Sequence, residues 1–322
     1  MPAELQQLAA KIVSRFYDEK IVSAALIVGL GFVNQVYRVD TERRKAIVRL
    51  NQADSYTEYA KEKWCLEQAA AAGIPGPRVL AIGIEDGQAY MLQSFVEGEN
   101  GLETAGADIR IWRRLGEYAR VIHEIPVQGY GGELSDPAHG LFLNPPHPGS
   151  DGSWHGYIRY NIDSLTESDP LLGLGVITKT QSKQAKAIFE KLAAQTFRFG
   201  LIHGDLSAKN VLVDPEEQAE GEEDGAISLL DWGGAEVYPV PHGDVIQLML
   251  TQFRDGTPDA AQFGAFAEGY GLSPEQLSEA RELMLLRSFD TVRWAIDCAP
   301  EQTGKFAKWA KYSAGLVLDQ TD

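Results

Sequence analysis

Asp205, Asn210 and Asp231 present oxygen atoms at spacings that suit phosphoryl transfer. The first two belong to His203-Gly204-Asp205-Leu206-Ser207-Ala208-Lys209-Asn210, a stretch set between two apolar runs, and Asp231 ends a later apolar run, ahead of Trp232-Gly233. Phosphoryl transfer asks little covalent work of a protein: the phosphates must be held, their charge neutralised, and a hydroxyl placed in line. In such a scheme Asp205 orients the attacking hydroxyl and takes its proton. The Asn210 amide oxygen and the Asp231 carboxylate suit Mg²⁺, a hard cation that takes oxygen ligands. Alone, Asp and Asn are ordinary turn residues. Their joint spacing, followed by an apolar strand with an Asp-Trp-Gly end, selects the chemical reading.

The elements that must position these residues follow from hydrophobic period. Leu5, Leu8, Ala9, Ile12, Val13 and Phe16 recur at helical spacing. Strands are expected over 25–28, 36–39 and 46–50, then a helix over 56–72 stopped by Gly73, Pro75 and Pro77. Two further strands, 78–84 and 89–95, flank the turn Asp86-Gly87. Beyond Gly98 the chain reads as helical, over 109–123, 154–165, 181–196, 244–253, 260–270, 274–298 and 305–316. A Gly-, Pro- and His-rich loop is expected over 129–153, and short strands over 211–213 and 227–230. The expected division is a strand-rich part, 1–97, and a mostly helical part, 98–322.

Composition narrows the partners. The net charge of −17 argues against nucleic acid, whose phosphates demand clustered Lys and Arg. Seven of the acids crowd residues 214–224 without a base, as in a solvated hairpin tip; the remaining charge of −10 favours cationic small molecules by long-range attraction. No apolar run approaches the ~20 residues of a membrane span, and no basic stretch leads into an apolar one near Met1. Cys65 and Cys298 are the only cysteines, which suits a reducing cytoplasm.

His203, Asp205 and Asn210 match the kinase catalytic-loop pattern H-x-D-x-x-x-x-N, and Asp231-Trp232-Gly233 matches its metal-binding Asp-Phe-Gly position. With Gly204 in place of Arg, the loop resembles that of the aminoglycoside phosphotransferase family, which includes choline, homoserine and fructosamine kinase relatives. Gly73-Ile74-Pro75-Gly76-Pro77 and Ile122-His123-Glu124-Ile125-Pro126 are also similar to that family, and the resemblance covers about residues 25–250. It implies an α+β, two-lobed protein-kinase-like fold with an antiparallel-sheet first lobe and a mostly helical second one.

The resemblance also implies a nucleotide site for ATP, with GTP as an alternative. Gly29-Leu30-Gly31-Phe32-Val33-Asn34 falls where a phosphate-covering loop belongs, with Gly31 in its turn and Asn34 facing phosphate. Arg49 occupies the place of the third-strand Lys that holds the α and β phosphates. Lys45 is its rival: residues four apart share a strand face, and the match of Ile47-Val48-Arg49 to the family decides for Arg49. Glu62 is the expected helix partner, ahead of Glu58 and Glu67. Gln93-Ser94-Phe95 runs where backbone groups would meet adenine, and Lys209 lies near the transferring phosphate. His203 is expected to pack the loop through its ring nitrogens, and Asp244 to accept backbone N–H groups of that loop.

Only twelve residues separate Asp231 from Asp244, which leaves no room for the activation segment of a protein kinase. The expected activity is therefore Mg²⁺-dependent transfer of the ATP γ-phosphate to a hydroxyl of a small molecule. Glu236 and Asp290 are candidate acids near the base. The alternatives are a non-catalytic nucleotide-binding regulator and, less favoured, a protein kinase.

Overall fold

A computed structural model describes residues 2–27, 35–104, 109–214 and 226–319. The expected glycine loop with Gly31 and Asn34, and nearly all of the acidic run, lie outside the described residues. The elements in chain order are α1 (Pro2–Tyr17), β1 (Ile21–Leu26), β2 (Gln35–Thr41), β3 (Lys45–Gln52), α2 (Tyr56–Ala71), β4 (Val79–Glu85), β5 (Gln88–Ser94), β6 (Glu99–Asn100) and α3 (Ile109–Ile122). Then come β7 (Gln128–Gly129), β8 (Glu133–Asp136), β9 (Leu141–Leu143), α4 (Trp154–Ser164), α5 (Pro170–Gly173), α6 (Lys179–Ala194) and β10 (Phe199–Ile202). The chain continues through β11 (Val211–Asp214), β12 (Ala226–Leu229), β13 (Glu236–Pro239), α7 (His242–Asp255), α8 (Ala260–Tyr270), α9 (Pro274–Cys298) and α10 (Thr303–Leu318). The fold is α+β, and it packs as two compact units: 1–114 with 207–235, and 115–206 with 236–322.

The first unit is built on an antiparallel sheet of order β1-β2-β3-β5-β4. The apolar stripe of α1 buries Leu8, Ala9, Ile12 and Val13 against Tyr37, Val39, Val48 and Leu50. Each such aliphatic side chain contributes roughly 1.5–3 kcal/mol on burial. Asp86 and Gly87 both have positive φ, 50° and 77°, as a two-residue hairpin matched to strand twist requires. A second small sheet, β12-β11-β6, belongs to the same unit.

The second unit buries Phe189, Leu283, Met284, Leu286, Phe289 and Trp309 in one core. Its long helix α9 starts with a capping box: Ser273 Oγ accepts the Gln276 N–H, and Gln276 Oε1 accepts the Ser273 N–H, ahead of Pro274 at the first position. β10 and β13 pair as an antiparallel ribbon that matches Ile202 with Glu236 and Phe199 with Pro239. The expected loop over 129–153 is corrected in part: β7, β9 and β8 form a small three-stranded sheet there. These strands run two to four residues, too short for a period of two to register. No helix among the described residues is long and apolar enough to cross a membrane.

Candidate active site

Three of the expected residues meet in the first unit. Arg49 sits on β3, inside the five-stranded sheet, and is 7% exposed; Glu62 lies on α2 and is 3% exposed. The Arg49 guanidinium makes a two-pronged pair with Glu62: Nη1 donates to Oε2, and Nη2 donates to Oε1 at 3.2 Å. Nη2 also lies 3.5 Å from Asp231 Oδ1, and the guanidinium lies over the Tyr59 ring at 5.6 Å. Such a fork-to-carboxylate pair fixes orientation as well as charge.

Burial pushes the Glu62 carboxyl up, against the pull of Arg49 and with a further push from Asp231. Burial also opposes the Arg49 charge, but the Glu62 and Asp231 carboxylates outweigh it and raise the guanidinium further. Asp231 itself is half exposed and has a positive φ of 56°, a backbone conformation uncommon outside glycine. The chain just after it is tied to α2, because Lys61 Nζ donates to the carbonyls of Gly233 and Ala235, each at 3.0 Å.

Asn210 is buried at the end of a single 3-10 turn, 208–210. Its carbonyl accepts the Leu230 N–H at 2.8 Å, which joins the turn carrying Asn210 to the residue before Asp231. The neighbouring Lys209 carbonyl accepts from Asn100 Nδ2 at 2.8 Å. Gly101 permits this packing, since a Cβ there would meet the Ala208 carbonyl at 2.6 Å. Gln93 is buried on β5 opposite Ile47, and the half-buried Phe95 ring has Arg38 at 5.0 Å and Lys45 at 5.2 Å from its centroid. Lys45, the rival to Arg49, pairs instead with Glu97 at 2.6 Å on the surface.

In the second unit Asp205 follows β10 in a loop held by its backbone. Asp244, fully buried in the first turn of α7, accepts the Gly204 N–H on Oδ1 at 2.8 Å and the His203 N–H on Oδ2 at 3.3 Å. Asp244 thus accepts loop N–H groups, as its sequence position suggested. Gly204 has φ of 75°, which a side chain would strain. The Asp205 N–H donates to His203 Nδ1 at 3.3 Å, so a ring nitrogen of the buried His203 does pack the loop. His123 Nε2 lies 3.0 Å from Asp244 Oδ2, and its Nδ1 lies 2.9 Å from the Tyr270 hydroxyl. Burial pushes the Asp244 carboxyl up, but His123, the nearby His203 and the Gly204 N–H more than offset it and hold it below the usual aspartate value.

Sequence reasoning missed the roles of His123, Tyr270 and Arg254. His123 was legible only as part of a family-like segment, and Tyr270 gives no local signal. Arg254, in the last turn of α7, is raised by its bonds to Asp255 and, more weakly, by the Asp205 carboxylate, which places a cation near the candidate base. Glu236 pairs with Arg287 at 2.8 Å, and Asp290 accepts from Asn161 Nδ2 at 3.0 Å. Glu236 stands opposite Ile202 at the end of the ribbon from which the Asp205 loop departs.

Both Asp231 and Asn210 offer hard oxygen donors, and one Asp231 oxygen is free of the contact with Arg49 at 3.5 Å. No group of three or more His, Cys, Asp or Glu side chains that could hold a metal occurs among the described residues. That set fits Mg²⁺, which commonly binds one or two carboxylates and completes its shell with waters and substrate phosphates.

Comparison with known proteins follows the same lines. A family model described as the phosphotransferase enzyme family matches residues 25–283. A probable ketoamine kinase of Staphylococcus aureus is 26% identical over 187 residues, which cover 56% of this chain and 61% of that protein. The match thus spans less than two thirds of the relative's length. Among solved structures, a thermostable mutant of aminoglycoside phosphotransferase APH(4)-Ia, in ternary complex with ADP and hygromycin B, superposes with a TM-score of 0.64 at 15% identity, covering 97% of this chain and 98% of that one. A putative fructosamine-3-kinase from Haemophilus somnus gives 0.59 at 14% identity, covering 96% of both.

Proposed function

This chain belongs to the phosphotransferase enzyme family, and from that premise we propose that it transfers the γ-phosphate of ATP, with Mg²⁺, to a hydroxyl of a small molecule in the cytoplasm. The observation that carries the reading is the buried Arg49–Glu62 pair with the half-exposed Asp231 beside it. A buried guanidinium fixed on one side by a carboxylate has donors set to grip phosphate oxygens. In this division of work residues 1–97 cover the nucleotide, and 98–322 carry the catalytic loop and the acceptor pocket.

Gly31 and Asn34 cover the phosphates, Arg49 held by Glu62 positions them, and the Gln93–Phe95 backbone meets the base. Lys209 faces the transferring group. The same contacts admit GTP. Asp231 and Asn210 would hold Mg²⁺, whose role when bound is to neutralise phosphate charge. Asp205 orients the acceptor hydroxyl and takes its proton as the new O–P bond forms and the bond to the β-phosphate oxygen breaks, releasing ADP. The names of the relatives, a ketoamine kinase and an aminoglycoside phosphotransferase, support an amine-bearing acceptor. The net charge of −17 favours one as well.

A coupled ADP-release screen over hydroxyl-bearing amines, sugars and antibiotics, with and without Mg²⁺, tests the proposal. Metal-dependent release with at least one acceptor, abolished in Asp205→Asn, is the expected result. Nucleotide binding with no transfer to any acceptor across the panel would favour a nucleotide-binding regulator instead.

A further inference from the structure

Lys61 precedes Glu62 on α2, and the two side chains serve different partners. Neighbouring positions on a helix point about 100° apart. Glu62 turns to Arg49, whereas Lys61 turns to the chain that follows Asp231. That chain forms a tight turn, in which the Ala235 N–H donates to the Trp232 carbonyl at 3.1 Å. The half-buried Lys61 grips the turn by its backbone, because Nζ donates to the Gly233 and Ala235 carbonyls, each at 3.0 Å. Helix α2 and residues 207–235 belong to the same unit, so both grips act within one packed body.

Two features tie this turn to the oxygens of the site. Gly233 sits against both carboxylates: a Cβ there would lie 3.5 Å from Asp231 Oδ1 and 3.5 Å from Glu62 Oε1. Asp231 itself holds a φ of 56°, and a residue other than glycine stays in the left-handed region where its surroundings over-determine it. Ahead of Asp231 the Leu230 N–H is held by the Asn210 carbonyl at 2.8 Å. Behind it Lys61 supplies the grip, with two of the three ammonium donors spent on the turn.

We propose that Lys61 is a positioning residue for the metal-binding carboxylate. By holding the turn 232–235 it keeps the Asp231 carboxylate beside Arg49 and presented to the Mg²⁺ of a bound nucleotide. Glu62 fixes the cation of the cluster, and Lys61 fixes the chain that bears its exposed anion, from adjacent positions of a single helix. The inference rests on the reading of Asp231 as a metal ligand.

The non-hydrolysable analogue AMP-PNP, titrated calorimetrically into the full chain with Mg²⁺ and again with EDTA, tests it. Lys61→Met keeps the apolar stem and removes the donors. Its affinity with Mg²⁺ should fall roughly tenfold or more, the scale of a lost charge-assisted bond. With EDTA it should match wild type, because Arg49 and Glu62 are untouched. Lys61→Arg restores a cation with donors for both carbonyls and should recover most of the loss. In the ligand-free chain, hydrogen exchange at the Ala235 N–H should be faster in Lys61→Met than in wild type, a readout that involves no metal. Wild-type affinity with Mg²⁺ in Lys61→Met, an equal loss with and without Mg²⁺, or unchanged exchange at Ala235 would overturn the proposal. Asp231→Ala separates the two levels. Mg²⁺ dependence lost there but intact in Lys61→Met defeats the role of Lys61 alone, whereas Mg²⁺ dependence kept in Asp231→Ala defeats the metal-ligand reading beneath it.

Discussion

The two regions that carry the candidate chemistry are held in different ways. Around Asp231 the arrangement runs from side chain to side chain: one guanidinium is shared by two carboxylates, one buried and one half exposed. Around Asp205 it runs through the backbone: one buried carboxylate, Asp244, gathers two loop N–H groups and His123. The first region has a spare acid, so a guanidinium deprived of Glu62 still has Asp231 at hand. The second leans on one acid, Asp244, for the His203 and Gly204 N–H groups and for His123. Charge sets the first region, and the shape of one loop sets the second.

The largest expected effect separates the two roles. Asp205→Asn should lower turnover by roughly 10²–10⁴-fold, the usual scale for losing a general base. ATP affinity measured by calorimetry should stay at the wild-type level, since Arg49, Glu62 and Asp231 are untouched. A parallel loss of ATP affinity would mean that the two regions do not divide the work. Next in size is Glu62→Gln. Breaking a buried ion pair costs roughly 3–5 kcal/mol, and the nearby Asp231 carboxylate should hold the cost at the low end of that range. Urea unfolding measures it. ATP affinity should fall as well, as Arg49 draws Asp231 away from the ligand. If stability drops while affinity is unchanged, the pair serves packing alone.

Asp244→Asn should cost less, about 1–3 kcal/mol, because the amide keeps one acceptor and leaves one buried donor unpaired. Turnover should fall while ATP affinity holds. Acid titration sharpens the contrast. The folded Asp244 value lies below its ordinary 3.8, so the unfolded chain takes up the proton first as pH falls. Its contribution is full above about pH 3.8 and is lost as pH falls through the folded value. The stability gap between wild type and Asp244→Asn should therefore narrow in acid, and a gap that widens there would show that the carboxylate is not held as its contacts indicate.

The sequence was informative where elements are long and capped. α8 and α9 occupy the expected 260–270 and 274–298, with Asp259 and Ser273 as capping residues that stop the helices at their N-termini. β6, β7 and β9 were not legible, because runs of two or three residues carry no usable alternation. The site shows the same divide. The expected pairing of Arg49 with Glu62 rested on a family-like strand and on helix spacing, and the two side chains do meet. The convergence of His123 and Tyr270 with Asp244 links residues 121 and 26 positions from it, a distance at which no local pattern acts. The packing of 207–235 with the first hundred residues is equally non-local.

Lys45 offers the smallest effect and the cleanest check on which cation serves the first region. It shares a strand face with Arg49, yet its surroundings differ. Its ammonium pairs with Glu97 at 2.6 Å, with both side chains largely in solvent, whereas the Arg49 side chain is 9% exposed. An exposed pair of this kind contributes about 0–1 kcal/mol and is screened by salt. Lys45→Ala should therefore change unfolding stability by no more than that and leave ATP affinity unaltered. Arg49→Lys keeps the charge but replaces a two-pronged fork with a point charge on a flexible stem, so it should weaken ATP binding more than Lys45→Ala does. The reverse order would move the phosphate contact four residues along β3, out of the buried cluster and onto the strand's solvated end. Arg49 would then serve Glu62 and Asp231 alone.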